Sequence, residues 1–269
     1  MHSRADLAEN FRRLGVTAGD TVMLHASIRA VGPVAGGPDQ IHLALKDALT
    51  SSGTLMMYAS CPEFYDEVGR GHLTSEQERE LLDRLPAFDA ATARCARDNG
   101  ALVELLRTWP DSRVNDHVAR FVVWGGRAGD LIADQPWDFA FGHGSALEKL
   151  LELDGRILLL GSDLDAVTFL HYAEHVVDVP DKRIARFKVP VSVGGRRVWR
   201  DMAEVDTSTP AHPNWPERLF GDIVESYLAM TANTGAKVGS ARSYLIDAQG
   251  LLTHALAAMR SKAGGAGLA

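Results

Sequence analysis

Cysteine is scarce in this chain. There are two, Cys61 and Cys95, and no C-x-x-C pair, so neither a disulfide framework nor a cysteine-rich zinc site is expected. No apolar run approaches the roughly 20 residues that a bilayer-spanning helix needs. The first residues, MHSRADLAENF, lack the apolar centre of a signal peptide. With few thiols and no membrane signal, a cytoplasmic protein is expected, with no membrane partner. Internal repeats, low-complexity linkers and long blocks of one charge sign are also missing, so little disorder is expected. A basic surplus is absent too. The net charge of −7 argues against a nucleic-acid partner, which requires a positive surface. It is compatible with a cationic ligand drawn to an acidic cleft, and equally with a surface charge that only keeps the protein soluble.

What the chain does have is core material. With 46% hydrophobic residues over 269 positions, it can build one large core. The most informative stretch is GRILLLGSDLDAVTFLHYAEHVV, from Gly155 to Val177. Residues 157–160 form an unbroken apolar run between two glycines, which suits a strand buried on both faces of a parallel sheet. Ala166, Phe169, Leu170, Ala173, Val176 and Val177 then recur at helical spacing, with Ser162, Asp163 and Asp165 as candidate N-caps. In open α/β sheets the ligand crevice lies beyond the carboxyl ends of the strands. The helix leaving that crevice carries Thr168, His171, Glu174 and His175. His171 and Glu174 are three apart, hence on one helical face, and a histidine held by a carboxylate is an acid–base arrangement.

Elsewhere the same periodicities predict a helix over residues 5–14 stopped by Gly15, a strand over 21–24 ending at His25, a helix over 38–49 and a strand over 54–58. The intervening loop holds Gly32, Pro33, Gly36, Gly37 and Pro38. It is either an anion cradle or an ordinary glycine-rich connection, and it matches neither G-x-x-x-x-G-K-[ST] nor G-x-G-x-x-G. Residues 61–91 are polar and rich in Asp and Glu, with Phe64, Tyr65 and Phe88 among them, and are expected to form a lid. Further helices are predicted at 99–109, 126–133, 145–153, 216–230 and 248–259, and strands at 121–124 and 241–246. Residues 185–193 and 197–202 alternate around Gly194-Gly195 as a hairpin. Residues 263–269 are expected to be a disordered tail. The fold class expected is α/β: a single domain, 1–269, with a central mixed, partly parallel sheet flanked by helices and an acidic lid-like insertion.

Several segments occur together in a recognisable order. They are LGV-x-AGDTVMLHAS, G-x-V-x-GGP and GTLMMYAS in the first 60 residues, then PAFD at Pro86 to Asp89. FGHGSALEKL at Phe141 to Leu150, the Gly155 stretch and VGSARSYLIDAQGLL near the end complete the set. In this order they resemble the aminoglycoside 3-N-acetyltransferases across nearly the whole chain. The resemblance implies transfer of an acetyl group from acetyl-CoA, as cosubstrate and without a metal, to the 3-amino group of a deoxystreptamine ring. An aminoglycoside or another polycationic amine and coenzyme A are the implied partners. Carried over by motif, Thr168, His171 and Glu174 are the catalytic residues. His25, Ser27, Gly32, Gly36, Gly37 and Ser145 are the cofactor-binding residues, and Asp89 of PAFD is a substrate-binding one. The segment from Cys61 to Arg84 varies most from the family, and there the residues themselves suggest substrate contacts: Asp66 and Glu67 for ammonium groups, and Tyr65 to stack a sugar face or simply to pin the loop. The chain departs from the family's pattern at Ala26, in place of a hydroxyl residue, and at Ala146, in place of proline.

In this reading His171 takes the proton that an ammonium acceptor must lose, because an imidazole titrates near neutral pH. Glu174 orients the ring, and backbone N–H groups or Thr168 stabilise the thioester oxyanion. Plainer roles stand beside these: a surface i,i+3 pair for His171 and Glu174, a core histidine for His25, a solvated face for the acidic stretch. A reading of another class also stands. His171, Glu174 and His175 fit H-x-x-E-H, the pattern of a zinc metallopeptidase with two histidine ligands and a glutamate base, although no third ligand is marked out. A non-catalytic module binding coenzyme A or an amine is a third.

Overall fold

The computed structural model describes residues 1–208 and 210–264. Helix α1, Arg4–Leu14, begins at a reciprocal capping box between Ser3 and Asp6 and stops at Gly15, whose φ of 107° is left-handed. Strand β1, Thr21–Ala26, leads into the single turn α2, Ile28–Val31, then α3, Asp39–Leu49, and β2, Thr54–Tyr58. The polar stretch contains α4, Ser75–Arg84, and is followed by α5, Ala101–Arg107. The short β3, Arg113–Val114, and β4, Phe121–Gly125, come next, then α6, Ala128–Ile132, and α7, Ala146–Glu152. Strand β5, Arg156–Leu160, precedes α8, Leu170–Val176. The hairpin β6, Ile184–Val193, and β7, Arg196–Val205, stands apart as its own two-stranded sheet. Helix α9, Leu219–Met230, β8, Ala236–Val238, β9, Ala241–Asp247, and α10, Ala248–Gly264, close the described chain. None of the described helices is long and apolar enough to cross a membrane.

The sheet order is β3-β4-β2-β1-β5-β9-β8. Only β2, β1 and β5 are parallel neighbours; β4 and β9 flank them antiparallel. The sheet is therefore mixed, with its parallel part at the centre. Because side chains alternate across a strand, each apolar run feeds two cores. Met23, Met56, Ile157 and Leu159 face the layer containing α7 to α10. Val22, Leu24, Leu55, Leu158 and Leu160 face α1, α3 and α5. A third cluster joins Tyr65 and Phe88 of the polar stretch to Phe187, Val189 and Val191 of β6. Backbone hydrogen bonds join these segments too, from Phe88 N–H to the Pro190 carbonyl (2.6 Å) and from Lys188 N–H to that of Val68 (2.7 Å). The return end of the stretch is held by the fully buried Arg120, whose guanidinium donates to the carbonyls of Ala90, Ala93 and Arg94.

Two expectations need correction, and one helix has no counterpart among the predicted elements. The helix after β5 starts at Leu170, and Ser162, Asp163 and Asp165 do not cap it. Asp163 instead accepts the N–H of Asp165 at 2.9 Å, a local turn that competes with helix formation. The chain turns away at Gly161 (φ 61°), where a Cβ would lie 2.5 Å from the Ala30 methyl. Helix α4 has no buried residue and so no apolar period to detect; its capping box, Thr74 and Gln77, was the available signal. Helix α10 runs to Gly264, so Ala263 belongs to it, and residues 265–269 of the expected tail lie outside the described residues.

Candidate active site

The three parallel strands end on the same edge of the sheet. There β1 delivers His25 and Ser27, β2 delivers Tyr58, and the turn after β5 delivers Ser162 and Thr168, all walls of one cavity of about 420 Å³. This is the crevice that strand direction dictates. Asp98 and Asn99, from the return end of the polar stretch, line it as well. His171 borders this cavity and also a second of about 420 Å³ behind it, walled by Asp165, Glu174 and Glu217.

The ring of His171 is held on several sides. Helix α8 buries Leu170, Tyr172 and Ala173 in the core, which leaves His171 24% exposed at the surface of the cavity. Its Nδ1 donates to Oε2 of the buried Glu174 at 2.7 Å. A carboxylate only accepts, so that bond places a proton on Nδ1, and the lone pair of the neutral ring is then on Nε2, which has no hydrogen-bond partner among the described residues. Phe141 stacks on the ring at 5.2 Å and 30°, and Phe220 meets it edge-on at 4.9 Å. Lys182 fastens the end of the same helix. Its Nζ donates to the carbonyls of Glu174, His175 and Val177, which the helix leaves without partners. Burial lowers the pKa of Lys182. An imidazole with one nitrogen fixed to a carboxylate and the other free is equipped to act as a general base.

Three buried polar atoms on the walls of the first cavity have no partner among the described residues: Nε2 of His25, Nδ2 of Asn99 and Oγ of Ser162. Buried polar groups are nearly always hydrogen-bonded, so such a cluster marks a place built for another molecule. Burial, and after it the neighbouring His171, pushes His25 down to about 4, which keeps the ring neutral near pH 7.

Residues 23–260 match the family model described as aminoglycoside 3-N-acetyltransferase. The chain belongs to this family. Among its relatives is the aminoglycoside N(3)-acetyltransferase III of Pseudomonas aeruginosa, 40% identical over 98% of this chain and 95% of that one. Solved structures with the same fold include AAC-IIIb in a binary complex with CoASH, at TM-score 0.91 and 35% identity, covering 97% of each chain. Another is AAC-VIa bound to sisomicin, at TM-score 0.89 and 32% identity, covering 97% of this chain and 98% of that one.

Against this background the residues singled out in the sequence fall into groups. His25, Ser27, Thr168 and His171 share the first cavity, and Glu174 is bonded to His171. Ser27 also caps α2, accepting from Ala30 N–H at 3.3 Å. Asp66 and Glu67 line a neighbouring cavity of about 360 Å³ together with Glu63 and Asp98. Asp66 is tied to Arg70 at 3.3 Å, and burial raises its pKa. The remaining residues lie elsewhere. Gly32, Gly36 and Gly37 have positive φ in the loop after α2, outside the cavity walls. Ser145 is fully buried and caps α7 by accepting from Glu148 N–H. Tyr65 is buried edge-on to Phe88 at 5.3 Å, and Asp89 is exposed, capping a turn through Ala91 N–H. Asn99, Ser162, Phe141 and Phe220 converge on the site with nothing local in the sequence to mark them.

The zinc metallopeptidase reading receives no support. Both ring nitrogens of His175 are engaged, Nδ1 with the His171 carbonyl at 2.6 Å and Nε2 with the Glu204 carboxylate. It therefore offers no free lone pair beside His171. Among the described residues no group of three or more His, Cys, Asp or Glu is placed to hold a metal. Cys61 and Cys95 are buried free thiols, both pushed up to about 12 by burial.

Proposed function

We propose that this chain transfers an acetyl group from acetyl-CoA to the 3-amino group of an aminoglycoside's deoxystreptamine ring. The observation that carries the reading is the His171–Glu174 pair at the wall of a cavity formed by the carboxyl ends of β1, β2 and β5. Family membership supports the reaction class, and a relative bound to CoASH and another bound to sisomicin support the two substrates.

Acetyl-CoA supplies an activated acyl carbon in a thioester. The unpartnered Nε2 of His25, Nδ2 of Asn99 and Oγ of Ser162 fit such a group, whose arm carries amides as well as the thioester carbonyl. The acceptor amine is protonated near neutral pH, like a lysine amine, and must lose that proton to attack. His171 takes a proton from the attacking amine on Nε2 while Glu174 steadies the imidazolium through Nδ1–H. A C–N bond forms and the C–S bond breaks. The nitrogen sheds two protons in all, one released to solvent before attack and one taken by His171 as the C–N bond forms, and His171 passes the latter to the departing sulfur. Thr168, on the cavity wall, is available to the developing oxyanion. The acidic stretch, residues 61–91, acts as the acceptor-side wall of a single domain. Glu63, Asp66 and Glu67 line a cavity that shares Asp98 with the first, which supports a polycationic ligand there.

The test is release of free thiol from acetyl-CoA across a panel of aminoglycosides, with His171→Ala as control. Loss of a general base lowers the rate by about 10²–10⁴-fold, and coenzyme A binding is expected to persist. Wild-type turnover in the alanine variant would overturn the assignment.

A further inference from the structure

Two buried side chains that the reaction does not consume lie directly behind His171. His175, one turn further along α8, donates from Nδ1 to the His171 carbonyl at 2.6 Å. Its Nε2 meets Oε1 of Glu204, on β7 of the hairpin. Side-chain exposure is 3% for His175 and 7% for Glu204, so the pair is shielded from solvent. Glu204 also accepts two backbone donors, Val205 N–H at 3.0 Å on Oε1 and Ala140 N–H at 2.7 Å on Oε2. Ala140 immediately precedes Phe141, the ring stacked on His171. Phe141 in turn touches the edge of the His175 ring, centroids 6.0 Å apart. Glu204 is thus bonded to His175 on the helix that carries His171, and to the backbone of Ala140, which adjoins the aromatic plate beneath the imidazole.

We infer that Glu204 and His175 are positioning residues for His171, and that the β6–β7 hairpin is thereby part of the catalytic apparatus. The inference rests on the reading of His171 as the base. It accounts for a buried polar group at the base of the hairpin, where an apolar pair would have cost less desolvation. It also gives a physical route by which a strand distant in sequence, Glu204 being 29 positions from His175, acts on the reaction. Misplacing a reacting group by about 1 Å costs up to about 10²-fold in rate, with little effect on ground-state binding.

The test uses Glu204→Gln, which keeps an oxygen for the Ala140 N–H but loses the charge, and His175→Asn, which keeps a donor near the Nδ1 position but cannot reach Glu204. Thermal melting establishes that each variant folds. The expected result is a kcat lowered by about 10-fold in Glu204→Gln at unchanged KM for acetyl-CoA, with His175→Asn retaining more activity than His175→Ala. The second readout is independent of turnover. In ¹⁵N-histidine-labelled protein the Nδ1–H signal of His171, assigned by its loss in His171→Gln, is expected to shift or broaden in Glu204→Gln. An unmoved signal with wild-type kcat in Glu204→Gln would overturn the inference while leaving His171 as base. So would a proportional rise in both KM values with lowered melting temperature, which is the mark of a merely structural role. Wild-type turnover in His171→Ala would overturn the underlying reading instead, whatever the spectrum shows.

Discussion

Asp165 accepts the backbone N–H of Gly221 at 2.6 Å, locking the turn after β5 to the first turn of α9. That bond holds the neighbouring Phe220 edge-on to His171. A hydrogen bond to a charged group contributes about 1.5–3 kcal/mol. Asp165→Ala is expected to lower kcat several-fold by freeing Phe220, and Asp165→Asn, which keeps an acceptor, to stay near wild type. Steady-state kinetics decide this. Equal activity in both variants would mean that the packing of Phe220 alone is sufficient.

Asn99 and Ser162 give a prediction of opposite signs. Each has a buried polar atom without a partner among the described residues, so replacement by alanine removes an unpaired group, not a bond. Melting temperature is expected to hold or rise in Asn99→Ala and Ser162→Ala, while affinity for coenzyme A falls by about 10-fold, the value of a typical hydrogen bond of about 1–1.5 kcal/mol. Calorimetric titration alongside thermal melting measures both. Unaltered affinity would remove these two atoms from the cosubstrate site.

Acid should destabilise the fold in a defined window. Burial is the first cause that pushes His25, His42 and His117 each down to about 4. In the unfolded chain each titrates near about 6.5. Between those values the unfolded state binds up to three more protons than the folded one, so stability rises with pH and is lost as pH falls from 6.5 towards 4. The slope is about 1.4 kcal/mol per pH unit for each such proton. Urea unfolding between pH 4.5 and 7 checks it. His117→Gln should flatten the slope by about one proton, and an unchanged slope would count against a neutral His117.

The acidic wall predicts salt-sensitive acceptor binding. Glu63, Asp66, Glu67 and Asp98 line one cavity, and exposed charges act over about 8–10 Å at ordinary ionic strength. Acceptor KM should rise with salt. The combined Asp66→Asn, Glu67→Gln variant should raise it more than it lowers kcat, because these contacts exist in ground and transition states alike. Unchanged KM for that variant at low salt would assign both residues to a solvated surface.

The sequence by itself determined the parts whose signal is local. Uninterrupted apolar runs marked β1, β2 and β5 because a strand buried on both faces needs apolar residues at every position. The i,i+3 spacing placed His171 and Glu174 on one helical face, where the bond between them forms. Tertiary structure alone decided the rest. Glu204 reaches His175 from a hairpin 29 positions away, and His25, Asn99 and Ser162 meet from three separate segments. The start of α8 is not legible in the sequence, because the Asp163 side chain closes a turn at positions whose apolar spacing is helical. Helical and strand periods repeat within a few residues and are written in the chain itself. Which distant side chains share a cavity depends on strand order and register, and these are set by burying both faces of the whole sheet at once.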